Sequence, residues 1–177
     1  MKQLAETAKH FHPGPVTGPI SPADWWLVLL RILWNSAMRI GTALALRWEW
    51  LQPDGWIAVP AEALKGKRTG RRFYINTVTR EHLLRIQKTN DGPILPWTAT
   101  TMTLQRWRRR LQKLAGLPAD DKHGFHAIRR SSLSAIARLN PLVARAVAGH
   151  AQGDVLLDHY FADDVIVATL ETLPQPF

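Results

Sequence analysis

A chain of 177 residues is long enough for one domain and too short for a multi-domain machine. Hydrophobic residues make up 46% and charged residues 21% of it, which predicts a packed core, and the lack of cysteine excludes disulfide scaffolds, cysteine zinc sites, iron–sulfur clusters and thiol catalysis. The 23 Lys and Arg residues outnumber the 14 Asp and Glu residues, which gives a formal net charge of +9. Such an excess attracts polyanions, most often nucleic acid and less often an anionic membrane.

The first 22 residues predict a flexible arm or linker, because four prolines and two glycines leave no helical or strand period. They contain no apolar stretch of a secretory signal. The longest apolar runs of the chain, such as residues 25–30, are too short to cross a bilayer. We therefore expect an intracellular protein whose single folded domain occupies residues 23–177.

The remaining chain predicts a mainly α fold with a small antiparallel sheet, in the α+β class. The first helix is expected to begin with Ser21 as its cap and Pro22 in its first turn. Two strands, 56–60 and 72–76, flank a strongly basic tip and predict a β-hairpin. Further helices are predicted at about 42–50, 79–88, 101–115, from 125 onwards and 165–173.

Six positions draw attention in chain order: Arg39, Lys65, His126, Arg129, His150 and Tyr160. Each is weak evidence alone, because a His and an Arg three residues apart on a helix are more often a surface pair. Together, segments 37–40, 46–49, 59–65, 126–131, 148–150 and 157–160 resemble the tyrosine recombinase family, the phage-integrase type of site-specific DNA recombinase. The resemblance extends from about residue 24 to residue 164, and it implies the catalytic-domain fold of that family for residues 23–177.

The resemblance also implies a role for each matching residue. Tyr160 is the expected nucleophile, which forms a 3′-phosphotyrosyl link, and Arg39 and Arg129 are expected to clamp the scissile phosphate. His126 is expected to take part in proton transfer or positioning, and His150 to donate a hydrogen bond to a phosphate oxygen. The tyrosyl ester keeps the energy needed for rejoining, so no metal or other cofactor is implied.

A lysine is expected to protonate the departing 5′-hydroxyl, and the hairpin offers Lys65, which aligns better, and Lys67. Tyr74, the only other tyrosine, is expected to pack in the sheet. Family members usually have an acidic residue three positions after the first arginine, where this chain has Thr42, which weakens the expected support of Arg39. The remaining cations are candidates for contacts to the DNA backbone: Lys67, Arg68, Arg71, Arg106, Arg108 and Arg109.

Double-stranded DNA is therefore the expected partner, in a synaptic tetramer, with a cytoplasmic, nucleoid-associated location. The family also carries a separate helical DNA-binding domain before the catalytic one, and we expect that domain to be absent because only about 22 residues precede the pattern. The arginine-rich helix at 101–115 is either DNA-facing or a solvated basic face. The segment 165–173 either docks on a neighbouring subunit or packs on its own core.

Three alternatives limit this interpretation. The chain could be a non-catalytic DNA-binding remnant of an integrase, or a type IB topoisomerase, which shares the chemistry but has a differently organised capping domain. A metal site is the weakest alternative. His10 and His12 lie in the predicted arm, and His123 and His126 lack a carboxylate or cysteine partner at the usual ligand spacing.

Overall fold

The computed structural model describes residues 1–12, 20–64, 66, 69–149 and 163–175. These residues form helices joined by short connections, with one two-stranded antiparallel sheet. The prediction of a mainly helical α+β fold is confirmed. In chain order the elements are α1 (Lys2–Ala8), α2 (Pro22–Ser36), α3 (Ile40–Leu44), β1 (Trp56–Val59), β2 (Arg71–Tyr74), α4 (Thr77–Ile86), α5 (Thr101–Leu114), α6 (Phe125–Leu139), α7 (Pro141–Ala148) and α8 (Asp163–Glu171).

Helix α2 is the centre of the fold, and α1, α3, α4, α6 and β2 all pack against it. Almost every residue of α2 from Trp25 to Ser36 is buried, as expected for a helix that is apolar on all sides. The predicted cap is confirmed: the Ser21 hydroxyl oxygen accepts a hydrogen bond of 3.1 Å from the Asp24 amide. Among the described residues, no helix is long and apolar enough to cross a membrane.

The interpretation of residues 1–22 as an arm without regular structure disagrees with the first twelve residues. Helix α1 buries Leu4, Ala5 and Ala8 against the core, and the Phe11 ring packs edge-on at 5.8 Å from the Trp26 ring. The prolines and glycines that suggested an arm all lie from residue 13 onwards. A short apolar stripe before them therefore forms a helix that the composition of the whole segment obscures.

The helix predicted at 42–50 is also interrupted. Helix α3 ends at Leu44, and only a short 3₁₀ turn, Trp48–Trp50, follows. Between them the backbone pairs with a distant loop, since the Trp48 amide donates to the Gly92 carbonyl and the Ile94 amide donates to the Leu46 carbonyl, both at 2.9 Å. These bonds use backbone groups that a continuous helix would need.

The predicted hairpin is confirmed, with Trp56 opposite Tyr74 and Val59 opposite Arg71. Helix α8 packs on its own chain, where Leu170 and Leu173 join a second apolar cluster with Trp34 and Trp56. Of the two alternatives for this segment, the structure shows the packing within one chain. Its last residue, Glu171, accepts hydrogen bonds through one carboxylate oxygen from the Tyr74 hydroxyl and from the amide and hydroxyl of Thr77.

Candidate functional site

The site begins at the C-terminal end of α2, where the backbone turns sharply. Ala37 has φ +47° and ψ +30°, and it is the one non-glycine residue with positive φ in the described parts of the chain. A left-handed conformation is unfavourable for a residue with a Cβ, so surrounding contacts must hold it. This turn ends α2 and directs the chain to Arg39, which begins α3 as its N-terminal cap residue.

Arg129 supplies one of the contacts that hold this turn. Its Nη1 donates to the Ala37 carbonyl, and its Nη2 donates to the Ala148 carbonyl at 2.9 Å. Arg129 lies in the second turn of α6, which is fastened to α2 by a hydrogen bond from the Ser132 hydroxyl to the Trp34 carbonyl. Arg129 thus links α2, α6 and α7, and its side chain is buried.

Arg71, the first residue of β2, reaches the same place from the hairpin. Its Nη2 donates to the carbonyls of Ala146 and Val147, at 2.6 and 2.8 Å. Its Nη1 lies so close to Gly149 that a Cβ at that position would overlap it, and Gly149 has φ +73° as the cap of α7. Arg71 therefore depends on a glycine at the end of α7.

Arg39, Arg71 and Arg129 form what we call the arginine cluster. Burial and the positive charges of Arg129 and Arg39 together lower the pKa of Arg71 to about 10. Burial, and then the charge of Arg39, lower the pKa of Arg129 as well. Like charges brought together in a partly desolvated place repel one another, and a bound anion would relieve that repulsion.

The position of Arg39 corrects one expectation. The sequence predicts a partly buried side chain that pairs with Glu49 or caps the preceding helix, whereas Arg39 is exposed. Glu49 instead pairs with Arg47, at 2.5 Å. The cause is the left-handed Ala37 turn, after which Met38 points into the core and Arg39 lies at the surface. Thr42 is buried one turn later in α3.

His126 is exposed near the N-terminus of α6, one turn before Arg129. Arg39 and Arg129 are 90 residues apart in sequence, and burial followed by the charge of Arg39 lowers the pKa of Arg129. Five further predicted site residues lie outside the described part of the chain, namely Lys65, Lys67, Arg68, His150 and Tyr160.

The described tyrosine, Tyr74, is a packed sheet residue, as predicted. It is 6% exposed, its ring lies 5.4 Å from the Trp56 ring, and its hydroxyl donates to Glu171 at 2.5 Å. Burial and the Glu171 carboxylate raise the pKa of Tyr74, since both disfavour a phenolate. Tyr74 is therefore poorly suited to act as a nucleophile.

Helix α5 contains the second arginine-rich region, and it corrects another expectation. Arg108, proposed above as a DNA contact, is 3% exposed and donates to the side chains of Gln105 and Gln112 and to the Asp120 carbonyl. A guanidinium held in this way supports the fold and does not face DNA. The exposed Arg109 pairs with Asp121 at 2.6 Å, and Arg106 is exposed.

The expectation that His123 lacks a carboxylate partner is wrong. The His123 ring nitrogen Nδ1 lies 2.7 Å from the Asp120 carboxylate, so His123 does have a carboxylate partner. The side chains of both residues are about half exposed. Within the described residues, no three His, Cys, Asp or Glu side chains come together in a way that could hold a metal ion.

Two features of the site were not predicted. Arg71 was assigned to a basic hairpin tip, and nothing in the sequence distinguishes it from its neighbours Arg68 and Arg72. Ala37 gave no signal, because a left-handed alanine has no sequence signature.

No family model, curated protein or solved structure matches the chain.

Proposed function

We propose that this chain is the catalytic domain of a tyrosine-type site-specific DNA recombinase, which cleaves and rejoins double-stranded DNA during the integration or recombination of a mobile element. The observation that carries the proposal is the arginine cluster at the end of α7. Arg71 and Arg129 come from distant segments and bond to the last carbonyls of α7, directly before His150 in sequence, and burial together with the charge of Arg39 lowers the pKa of both.

The cluster has the chemistry that phosphoryl transfer requires. A phosphodiester under attack develops charge on its two non-bridging oxygens, and guanidinium groups stabilise that charge through forked, charge-assisted hydrogen bonds. Arg39 is exposed, so its donors are accessible to a ligand. The positive potential of the cluster favours an anion at the same place.

In the proposed reaction, the Tyr160 oxygen attacks the scissile phosphorus and forms a phosphotyrosyl ester at the DNA 3′ end. The bond from phosphorus to the 5′-oxygen breaks, and Lys65 gives that oxygen a proton, with Lys67 as the alternative donor. The tyrosine proton passes to a nearby base, for which His126 is the candidate. Reversal by a 5′-hydroxyl from another strand rejoins the DNA without an external energy source.

A synaptic tetramer on DNA belongs to the same proposal. Because α8 packs on its own chain through Leu170 and Glu171, and Leu173 packs just after the helix, subunits would associate through other surfaces or after this segment is released. Trp34 adds to this packing, since its indole N–H donates to the Pro174 carbonyl at 3.0 Å.

A second candidate is a DNA-binding remnant that no longer cleaves. The observation in its favour is Thr42, a neutral residue where the family has an acidic one beside the first arginine. Both candidates predict DNA binding, and they differ only in the covalent step.

A covalent trapping experiment separates the two candidates. Duplexes with a nick at a fixed position and randomised flanking sequence are incubated with the protein, and complexes that survive denaturation are recovered and sequenced. We expect a covalent adduct that Tyr160→Phe abolishes and Tyr74→Phe retains, because Tyr74 is the matched tyrosine outside the site. DNA binding without an adduct from any duplex would leave the remnant as the correct assignment.

A further inference from the structure

Arg71 bonds to the end of α7, and a role as a contact to the DNA backbone does not explain these bonds. It lies at the start of β2, directly after the basic segment that joins the two strands of the hairpin. It donates to carbonyls 75 and 76 residues away in α7. Its guanidinium carbon also lies 4.7 Å from the centre of the Phe73 ring. The side chain is therefore held between a strand and a helix end.

The carbonyls at the end of α7 are a suitable target for a cation. The last carbonyls of a helix lack donors within the helix and lie at the negative end of its dipole. Arg71 takes those of Ala146 and Val147, and Arg129 takes that of Ala148. Two arginines thus hold three consecutive carbonyls, and the next residues are Gly149 and His150.

The neighbouring Arg72 shows what an ordinary arginine of this strand does. Its guanidinium lies 4.4 Å from the centre of the Trp56 ring and pairs with Asp163 at 2.7 Å, with about half of the side chain exposed. Arg71 instead lies among like charges, which is unfavourable for stability. Unfavourable charge placement of this kind is typical of functional sites.

Resting on the proposed DNA cleavage, we propose that Arg71 is a positioning residue of the site. Through its two bonds to α7 it joins β2, the second strand of the hairpin, to the C-terminal end of α7. Its effect on the reaction is indirect, because it fixes the helix end whose last carbonyl accepts a hydrogen bond from Arg129. A misplacement of about 1 Å in such a site can reduce a rate by about 10²-fold.

The test compares Arg71→Lys, Arg71→Ala and the matched control Arg72→Ala in the full chain. Arg71→Lys keeps the charge and loses the forked pair of bonds. With a nicked duplex recovered by covalent trapping, we expect Arg71→Lys to form the adduct at least about tenfold more slowly, with DNA affinity changed less than about threefold. Arg71→Ala should be slower still, and guanidinium chloride, but not urea at the same concentration, should partly restore its rate.

Amide hydrogen exchange gives a readout that does not depend on DNA. Both Arg71 variants should exchange faster at residues 147–149 than the unaltered chain, while Arg72→Ala should not. Normal adduct formation by Arg71→Lys, or a loss no larger than that of Arg72→Ala, would overturn the positioning role. If the unaltered chain forms no adduct, the proposed function fails with it, and the exchange data alone then report whether Arg71 links the two elements.

Discussion

Two regions of the molecule are rich in arginine and use it in different ways. In the arginine cluster, Arg71 and Arg129 bond to backbone carbonyls, and burial followed by the charges of Arg129 and Arg39 lowers the pKa of Arg71. In α5, Arg108 bonds to two glutamine side chains and Arg109 pairs with Asp121. Burial and then the Arg109 charge lower the pKa of Arg108, and the carboxylates of Asp121 and Asp120 oppose that shift.

The comparison teaches that arginine content alone does not locate a binding surface. What matters is whether the charge is compensated within the protein. Carbonyl groups satisfy the hydrogen bonds of a guanidinium but do not cancel its charge, whereas a carboxylate does both. The arginine cluster is therefore the region where an external phosphate would gain most.

The strongest test of this difference is Arg129→Lys. Removing one preorganised donor from a site that stabilises developing charge reduces a rate by roughly 10² to 10³-fold. We expect a loss of that size in adduct formation on the nicked duplex, with a much smaller loss of DNA affinity. The matched control is Arg130→Lys, the next residue of α6, which is exposed and donates to the Lys122 carbonyl. Equal rates for the two variants would contradict the assignment.

Arg108→Ala should affect folding and leave the chemistry intact. It removes hydrogen bonds to Gln105, Gln112 and the Asp120 carbonyl, and it leaves the buried Gln112 side chain without one of its partners. We expect the free energy of unfolding to fall by about 2 to 3 kcal/mol, measured by urea denaturation. The exposed Arg106→Ala should change it by less than about 0.5 kcal/mol. A similar result for both variants would mean that Arg108 is not a structural residue.

Substitutions on the exposed face of α5 should have a smaller effect on DNA affinity. Their effect tests whether this helix contacts DNA. If Arg106 and Arg110 contact phosphates, replacing both with Gln should reduce the slope of log affinity against log salt by about 1 to 2. Arg109→Gln should change the slope less, because Asp121 already compensates its charge. A slope unchanged by the double substitution would identify this face as a solvated surface only.

His82 is a buried titratable residue outside these two arginine-rich regions, and burial lowers its pKa. The side chain is 4% exposed in α4, and burial together with the charge of Arg31 lowers its pKa, while Asp24 at 3.4 Å acts in the other direction. As the pH falls, the unfolded chain takes up a proton at this residue before the folded chain does. Stability should therefore fall as the pH drops below the ordinary histidine pKa.

His82→Gln should remove this contribution. Melting temperatures measured at pH 7.5 and pH 5 should differ less in this variant than in the unaltered chain. His126→Gln, at an exposed position, is the control and should leave the difference unchanged. An equal loss of stability in the unaltered chain and in His82→Gln would show that the acid sensitivity arises elsewhere.

Local patterns predicted much of the fold. The Ser21 cap and the two strands of the β-hairpin follow from patterns within their own segments, so they are visible in a sequence. The helix at 42–50 was predicted wrongly because a distant loop takes its backbone hydrogen bonds. Helix α1 was missed because its apolar stripe is short and its stability comes from packing on α2 and α5.

The candidate site was predictable only in part. The order of residues along the chain suggested that Arg39 and Arg129 act together on one phosphate, which stays a prediction. The burial of individual arginines could not be predicted, since Arg71, Arg108 and Arg109 differ only in what lies opposite them in the fold. The partners of Arg71 lie 75 and 76 residues away in sequence, so no local pattern could identify them.

Gly149 gives the arginine cluster an unusual weak point. Any other residue there would have to adopt φ near +73° and would also displace the guanidinium of Arg71. A substitution at this uncharged position would therefore change where a positive charge lies while the net charge of +9 stays the same. In a survey of inactive variants, loss of function at Gly149 is best interpreted as an electrostatic defect caused by an uncharged side chain that moves the Arg71 guanidinium.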